Sequence, residues 1–448
     1  MSVLSEDRQH LGTQVAKVCL EQYHRLPKKG KPTARGSQKH EWTTVAGFVL
    51  ERPGSKSVSY STGLKCLSQT RLVRSGDVVH DWHGEVVARR CLVRYLFQQI
   101  RLTLSSPDSD VGIFEIIEPS GQSPRLKLRS SLKFHFYVSQ SPCKSLNQSR
   151  ILLSRPVGPP RNRYLPYGMD SHIESVNQDP AKVAQAETAR STSGPTELPD
   201  KVSVKKRKLT TEPNSSALPF QRGRENMYCL SALRTKPGRR DAEDTTSMSC
   251  SDKLARWILL GFQSTLLSYL IEPIFVDSIT VGDWFDEQGL RRALVTRVLD
   301  YGAFPFSQFN SEFTANHVKT IPADAGLAWY QGLKTPEVIV AGRKQGASPN
   351  NLGQYSPKCR SELCKKAMLE EFQAVLESWV QYLDGHSCND TAREVRNRLQ
   401  ELKSGATYSF VKQWPTQYRE SQKRLMETVF NNWQRTPDYV GQFTLDSD

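Results

Sequence analysis

The sequence predicts an α/β fold, a mixed sheet flanked by helices, and two kinds of pattern predict it. Short runs rich in β-branched and aromatic residues, TVAGFVLE around Val45, LKFHFYV around Phe134 and SITVGD around Thr280, read as strands packed on a core. Longer runs place apolar residues at helical spacing: HGEVVARRCLVRYLFQQI, DKLARWILLGFQSTLLSYLIE and AMLEEFQAVLESWVQYL. A further helix is expected around Tyr418 to Val429.

The segment from about Gln148 to Pro219 breaks these patterns. It is rich in Ser, Pro, Asn, Gln and Thr and poor in large apolar residues. It cannot bury enough surface to offset its ordering entropy, so a disordered insertion within a single domain, residues 1–448, is expected. Inside it Lys205, Lys206, Arg207 and Lys208 form a basic cluster that reads either as a nuclear import signal or as a solvated charge run. The expected location is the nucleus, the cytoplasm or both.

With 61 Lys and Arg against 46 Asp and Glu, the chain carries a net charge of +15, which favours a polyanionic partner. Its 17 Phe, 15 Tyr and 8 Trp are enough to build a core and exclude a wholly disordered chain. The most apolar stretch, Trp257 to Phe275, is interrupted by Gln263, Ser264, Thr265, Ser268 and Glu272, so no membrane span is expected. The start, MSVLSEDRQHL, lacks the features of a signal peptide, and an intracellular soluble protein is expected. Nine cysteines, an odd number, point to reactive thiols or metal ligands rather than a disulfide framework.

In DWHGEVVARR, His83 and Glu85 stand at the head of a helix whose apolar positions are Val86, Leu92, Tyr95, Leu96 and Ile100. At a first turn, two such side chains can converge on one bound atom. This H-x-E arrangement is used by zinc-dependent nucleobase deaminases, in which the His binds metal and the Glu moves protons without being a ligand. The bland alternative is a surface His beside a capping Glu. Pro142 and Cys143, just after the LKFHFYV strand, supply the P-C half of that signature, but the second thiol of a C-x-x-C is missing. Cys250, at the entry of an apolar helix whose N-terminus would favour a thiolate, is the candidate third ligand. One imidazole and two thiolates leave a fourth zinc position open for water. Cys359 and Cys364 have no nearby His, and Cys66, Cys91 and Cys229 read as packing residues.

STGLKCL, DWHGEVVARR, SPC and MSCSDKLARW occur here in the order in which they resemble the adenosine deaminases that act on RNA. EWTTVAGFVLE, LRTKPGRRD, VIVAGRKQG and RSELCKK are similar to the tRNA branch of that family, and the resemblance covers nearly the whole chain outside the insertion. Two positions depart from the family pattern: Gly84 stands where Ala is usual, and Lys144 follows SPC where Gly-Asp is normal. The resemblance implies a cytidine-deaminase-like mixed sheet flanked by helices, with extra C-terminal helices. It also implies zinc held by His83, Cys143 and Cys250, and hydrolytic deamination of adenosine to inosine with Glu85 as proton shuttle. The implied substrate is tRNA, at the adenosine immediately 3′ of the anticodon of alanine tRNA, with Lys65 near the target nucleotide's phosphate. Two alternatives stand beside it: a deaminase of other structured RNA, and a non-catalytic RNA- or inositol-phosphate-binding homologue. Retention of Glu85 argues against the second, since a binding module needs no proton shuttle.

Arg90 follows His83 by seven residues with Arg89 adjacent, and Lys253 and Trp257 follow Cys250 by three and seven with Arg256 beside them. This spacing turns cations toward the interior, where unpaired charge is costly. Neutralisation could come from Asp or Glu; the resemblance implies inositol hexakisphosphate instead, held also by Tyr408, Lys412 and Trp433, with Arg419, Lys423 and Arg435 as further candidates. For tRNA phosphates the sequence offers Lys28, Lys29, Lys31, Arg35 and Lys39, then Arg222, Arg224, Arg234, Lys236, Arg239 and Arg240.

Overall fold

A computed structural model of the chain describes residues 3–35, 39–52, 56–107, 109, 112–118, 124–142, 221–222, 233–237, 242–298, 306–308, 320–386 and 389–446. Cys143, the expected insertion at about 148–219 and the Lys205 to Lys208 cluster lie outside them. In chain order the first strands are β1 (Ala34–Arg35), β2 (Lys39–Trp42), β3 (Val45–Glu51), β4 (Lys56–Thr62), β5 (Phe114–Ile117), β6 (Arg125–Leu128) and β7 (Lys133–Gln140). They are followed by β8 (Gln221–Arg222), β9 (Arg234–Thr235), β10 (Ser278–Asp283), β11 (Phe306–Gln308), β12 (Thr320–Pro322), β13 (Gly326–Tyr330), β14 (Glu337–Val340) and β15 (Arg343–Lys344). The helices are α1 (Val3–Arg25), α2 (Gly84–Ser105), α3 (Cys250–Leu260), α4 (Ser264–Leu267), α5 (Glu287–Leu294), α6 (Lys365–Gly385), α7 (Asn389–Lys403), α8 (Tyr408–Val411) and α9 (Thr416–Glu427).

The main sheet has eight strands in the order β11, β10, β7, β3, β4, β13, β14, β15. β7, β10 and β11 run parallel and the other neighbours are antiparallel, so the sheet is mixed, as expected. Strand alternation divides its side chains between two cores. Ala46, Phe48 and Leu50 of β3 join Phe134, Phe136 and Val138 of β7 on the face covered by α2, with Phe48 directly opposite Phe136. Val45, Val49, Tyr60 and Tyr137 point the other way, onto Val15, Ala16, Cys19 and Tyr23 of α1, a helix the sequence patterns did not single out. Among the described residues no helix is long and apolar enough to cross a membrane.

The apolar run expected as one helix through Glu272 is broken. α3 ends at Leu260, and Gly261 takes a left-handed φ of 85° that favours glycine. The buried amide of Gln263 fixes the turn: its Nε2 donates to Leu260 O at 3.0 Å and its Oε1 accepts from Ile274 N at 3.0 Å.

A second glycine positions the site. Gly63 has a φ of 149°, and a Cβ there would lie 1.8 Å from Trp82 O. Its N–H donates to Thr44 O at 3.2 Å and its carbonyl accepts from Gly84 N at 2.9 Å, tying the Leu64–Cys66 loop to the head of α2. Gly84 is itself close-set, with Thr44 O 3.0 Å from where a Cβ would sit. Gly63→Ala is therefore expected to destabilise the fold by about 3 kcal/mol, through overpacking plus backbone strain, read as a lowered urea midpoint.

Candidate active site

A cavity of about 950 Å³ is lined by His83, Glu85 and Cys250, with Lys65, Gln140 and Ser141 among its other walls. His83 is the N-cap of α2 and Glu85 lies in its first turn, buried at 4% exposure. Cys250 opens α3, whose N-cap Ser249 accepts from Asp252 N at 3.1 Å. Two helix N-termini thus deliver the expected chemical residues to one cavity, where their dipoles favour negative charge. Ser141 and Pro142 lead directly towards Cys143, and Ser141 N donates to Asp283 O at 3.0 Å. Among the described residues no group of three or more His, Cys, Asp and Glu side chains forms a metal site. His83 and Cys250 are two donors of the kind zinc takes, on the same cavity.

Asp81, which sequence reasoning missed, holds this arrangement. Its Oδ1 accepts from His83 Nδ1 at 2.8 Å and from His83 N at 3.0 Å. Its Oδ2 accepts from Lys236 Nζ at 2.9 Å, from Lys253 Nζ at 2.5 Å and from Ser247 Oγ. Burial alone would raise the pKa of this carboxyl, but Lys236 and Lys253 outweigh it and hold Asp81 well below the usual carboxylate range. Burial likewise works against the Lys236 ammonium, and Asp81 outweighs it, so Lys236 is raised well above the usual lysine value. Lys253 shares the carboxylate and is lowered, chiefly by burial. Burial and then Lys236 depress His83, which keeps the imidazole neutral. With Nδ1 engaged on Asp81, the Nε2 lone pair is left for a metal. The sequence signal was D-x-H, a carboxylate two residues before a candidate ligand.

Lys236, expected on the tRNA surface, and Lys253, expected at the polyanion, therefore both meet on Asp81. Lys65 pairs with Asp324 at 3.1 Å beside the cavity, and Arg234 is a buried part of its wall. Cys66 also lines the cavity; burial pushes its thiol up to about 11. Cys91 and Cys364 are buried and Cys359 is half-buried. Lys28 and Lys29 are exposed, while Lys31 donates to Leu26 O at 2.7 Å. Arg224, Cys229, Arg239 and Arg240 lie outside the described residues, as do the side chains of Arg35, Lys39 and Arg222.

Behind the cavity a second cluster gathers Arg89 and Arg90 of α2, Arg256 of α3, Lys365 of α6, Arg419 of α9, and Lys412 just after α8. Arg89 lies over the Trp257 ring at 4.8 Å, Arg256 over Trp433 at 5.3 Å and Lys412 over Tyr408 at 5.3 Å. Arg90 donates to Leu363 O at 2.6 Å and Arg419 to Gln413 Oε1 at 3.0 Å. Among the described residues none of these six cations has a carboxylate within 4.0 Å. Burial followed by neighbouring arginines lowers Lys412 to about 8, and burial lowers Arg89 to about 10. Lys365, which the sequence reading did not include, is pushed well down by burial, Arg90 and Lys412. Among the described residues the buried Nε atoms of Arg89 and Arg256 have no hydrogen-bond partner. Like charges gathered this way call for an anion. Lys423 instead pairs with Glu427 at 3.9 Å, and Arg435 is exposed. Asp81→Asn keeps the side-chain shape but strands two ammonium groups, so a loss of about 3–5 kcal/mol in chemical denaturation is expected.

The profile of the Adenosine-deaminase (editase) domain matches residues 59–437, a span that contains His83, Glu85, Cys250 and Asp81. The chain is 27% identical to human tRNA-specific adenosine deaminase 1, over 96% of this chain and 99% of that protein. The tRNA-specific adenosine deaminase 1 of Drosophila melanogaster is 28% identical over 76% of each chain. The Double-stranded RNA-specific editase Adar of the same organism is 30% identical over 57% of this chain and 31% of its own length. A match of this length, over a span that contains the cavity's His, Glu and Cys, means that the chain belongs to the adenosine-deaminase (editase) domain family.

Proposed function

We propose that the chain hydrolyses adenosine to inosine in tRNA with zinc as cofactor, at the adenosine immediately 3′ of the anticodon of alanine tRNA. The observation that carries this reading is the convergence of His83, Glu85 and Cys250 on one cavity, with His83 oriented by Asp81. Relatives named tRNA-specific adenosine deaminase, aligned over nearly all of both chains, support the substrate class. Zinc held by His83, Cys143 and Cys250 would lower the pKa of water from about 16 to about 7, so that a nucleophile exists near neutrality. Glu85 would carry one proton of the attacking water to the adenine ring nitrogen and the second, from the new hydroxyl at C6, to the amine, which leaves as ammonia. Such proton transfer contributes about 10²- to 10⁴-fold in rate. The amine must reach a recessed cavity, so the target base has to leave its stack, which an anticodon-loop nucleotide does at little cost.

Total tRNA incubated with the purified protein should gain inosine, read by sequencing. Glu85→Gln should keep zinc and tRNA binding while turnover falls by about 10³-fold, and Cys250→Ala should lose zinc. The match to a double-stranded RNA editase favours one other reading, a deaminase of other structured RNA. Duplex RNA edited as efficiently as folded tRNA would move the assignment there.

For the second cluster we propose inositol hexakisphosphate as the buried counter-ion, supported by six cations with no carboxylate among the described residues. Phosphates enclosed there form charge-assisted bonds that depend on protonated Lys412. Without them, Lys412 has a folded pKa of about 8 against an ordinary 10.5, so between these values the unfolded chain binds more protons and stability rises with pH. Acid-denatured protein should release inositol phosphate on chromatography. Stripped protein should gain stability from pH 8 to 10, a dependence that added inositol hexakisphosphate removes and that Lys412→Ala reduces, Lys365 supplying the remainder.

A further inference from the structure

Alternate residues of β7 face α2, and the row they form changes character where it meets the cavity. Phe134, Phe136 and Val138 belong to the larger core, and the next member of the row is Gln140, the last residue of the strand. Its neighbour on β10 is Asp283, which follows Ile279 and Val281 in the same way. Two parallel strands thus turn from apolar to polar at their carboxyl ends, beside the cavity that Gln140 lines, where open α/β sheets take ligands. Gln140 is only 4% exposed, yet among the described residues its Nε2 has no hydrogen-bond partner. A buried amide kept for structure looks different. Gln263 uses both ends: Nε2 donates to Leu260 O and to Ser268 Oγ, each at 3.0 Å, and Oε1 accepts from Ile274 N at 3.0 Å. A buried donor without an acceptor destabilises the fold, so a leucine would complete the apolar row better.

We infer that Gln140 reads the target base, its amide pairing with the N6 and N7 edge of the flipped adenine; this rests on the reading of adenosine deamination in tRNA above. A glutamine amide matches that edge in both directions, Nε2 donating to N7 while Oε1 accepts from the 6-amino group. The other side of the six-membered ring is engaged in the chemistry. Inosine carries its proton on N1, so N1 is the nitrogen that Glu85 serves, and N7 remains for a second residue. The terminal amide torsion of glutamine is broad and two-fold, so either end can turn to the cavity as the base enters. Guanine presents acceptors at both O6 and N7, which leaves the amide oxygen facing a lone pair. Gln140 is therefore a specificity-determining residue and not a proton carrier.

The test is a cycle between enzyme and substrate, using zinc-loaded protein and folded tRNA with adenosine, 7-deazaadenosine or 3-deazaadenosine at the target position. Gln140→Leu should lower kcat/KM on adenosine roughly 10- to 100-fold. On 7-deazaadenosine, which lacks the acceptor, the gap between the two enzymes should shrink to a few-fold, the contact of Oε1 with the amine being all that remains. On 3-deazaadenosine, which keeps N7, the gap should stay at its full size. Gln140→Leu should also melt no lower than the unaltered protein, a result that an amide with a structural role would not give. Gln140→Met carries the cycle if the leucine variant does not fold. Unchanged kcat/KM on adenosine, a gap of one size on all three bases, or a gap that closes on 3-deazaadenosine instead overturns the inference. Failure of both variants to fold overturns it too, by giving the amide a structural role. Unaltered enzyme that forms no inosine in intact tRNA overturns the tRNA reading itself, a separate result.

Discussion

The buried carboxylate of Asp81 is the interaction on which the site depends. It draws together the loop before α2, the turn after β9 and the first turn of α3. In a low-dielectric setting a carboxylate with every lone pair occupied is a rigid junction, and one left unpaired would be prohibitively costly. The imidazole of His83 is consequently held in one tautomer by the same group that neutralises Lys236 and Lys253. The orientation of His83 and the stability of the fold are not separable in this region.

Helices α2 and α3 each serve two ends. Their first turns carry His83, Glu85 and Cys250 to the cavity, and the following turns carry Arg89, Arg90 and Arg256 to the cation cluster. The helical repeat alone makes this possible, since residues six and seven positions past the first turn return to the same side. Lys253, one turn past Cys250, stands between the two sites and engages Asp81. An acidic and a basic requirement are thereby met within two rigid elements.

The strands around Val45, Phe134 and Thr280 and the helix headed by His83 were legible in the sequence, because periodicity and a helix N-terminus are local properties. Gly261 was not read as a break, since a glycine inside an apolar helical run is often tolerated and only the Gln263 amide turns the chain here. The destination of Lys236 was hidden for a different reason. A basic cluster looks the same in sequence whether it meets phosphate or an internal carboxylate, and Asp81 lies 155 residues away. Lys365 and the Gln140 amide were likewise invisible, one placed by helix packing and the other by the end of a strand at the cavity.

The cation cluster also constrains the order of events in making the protein. Arg89 and Arg90 are synthesised early, and Lys412 and Arg419 come close to the end of the chain. At ribosomal speeds of about 5–20 residues per second, the first arginines wait roughly 20 to 60 seconds for the last helices to arrive. Until α8 and α9 close over them, these side chains remain accessible to water and counter-ions. A counter-ion held between them would be enclosed as the C-terminal helices dock, and would leave afterwards only as fast as those helices open.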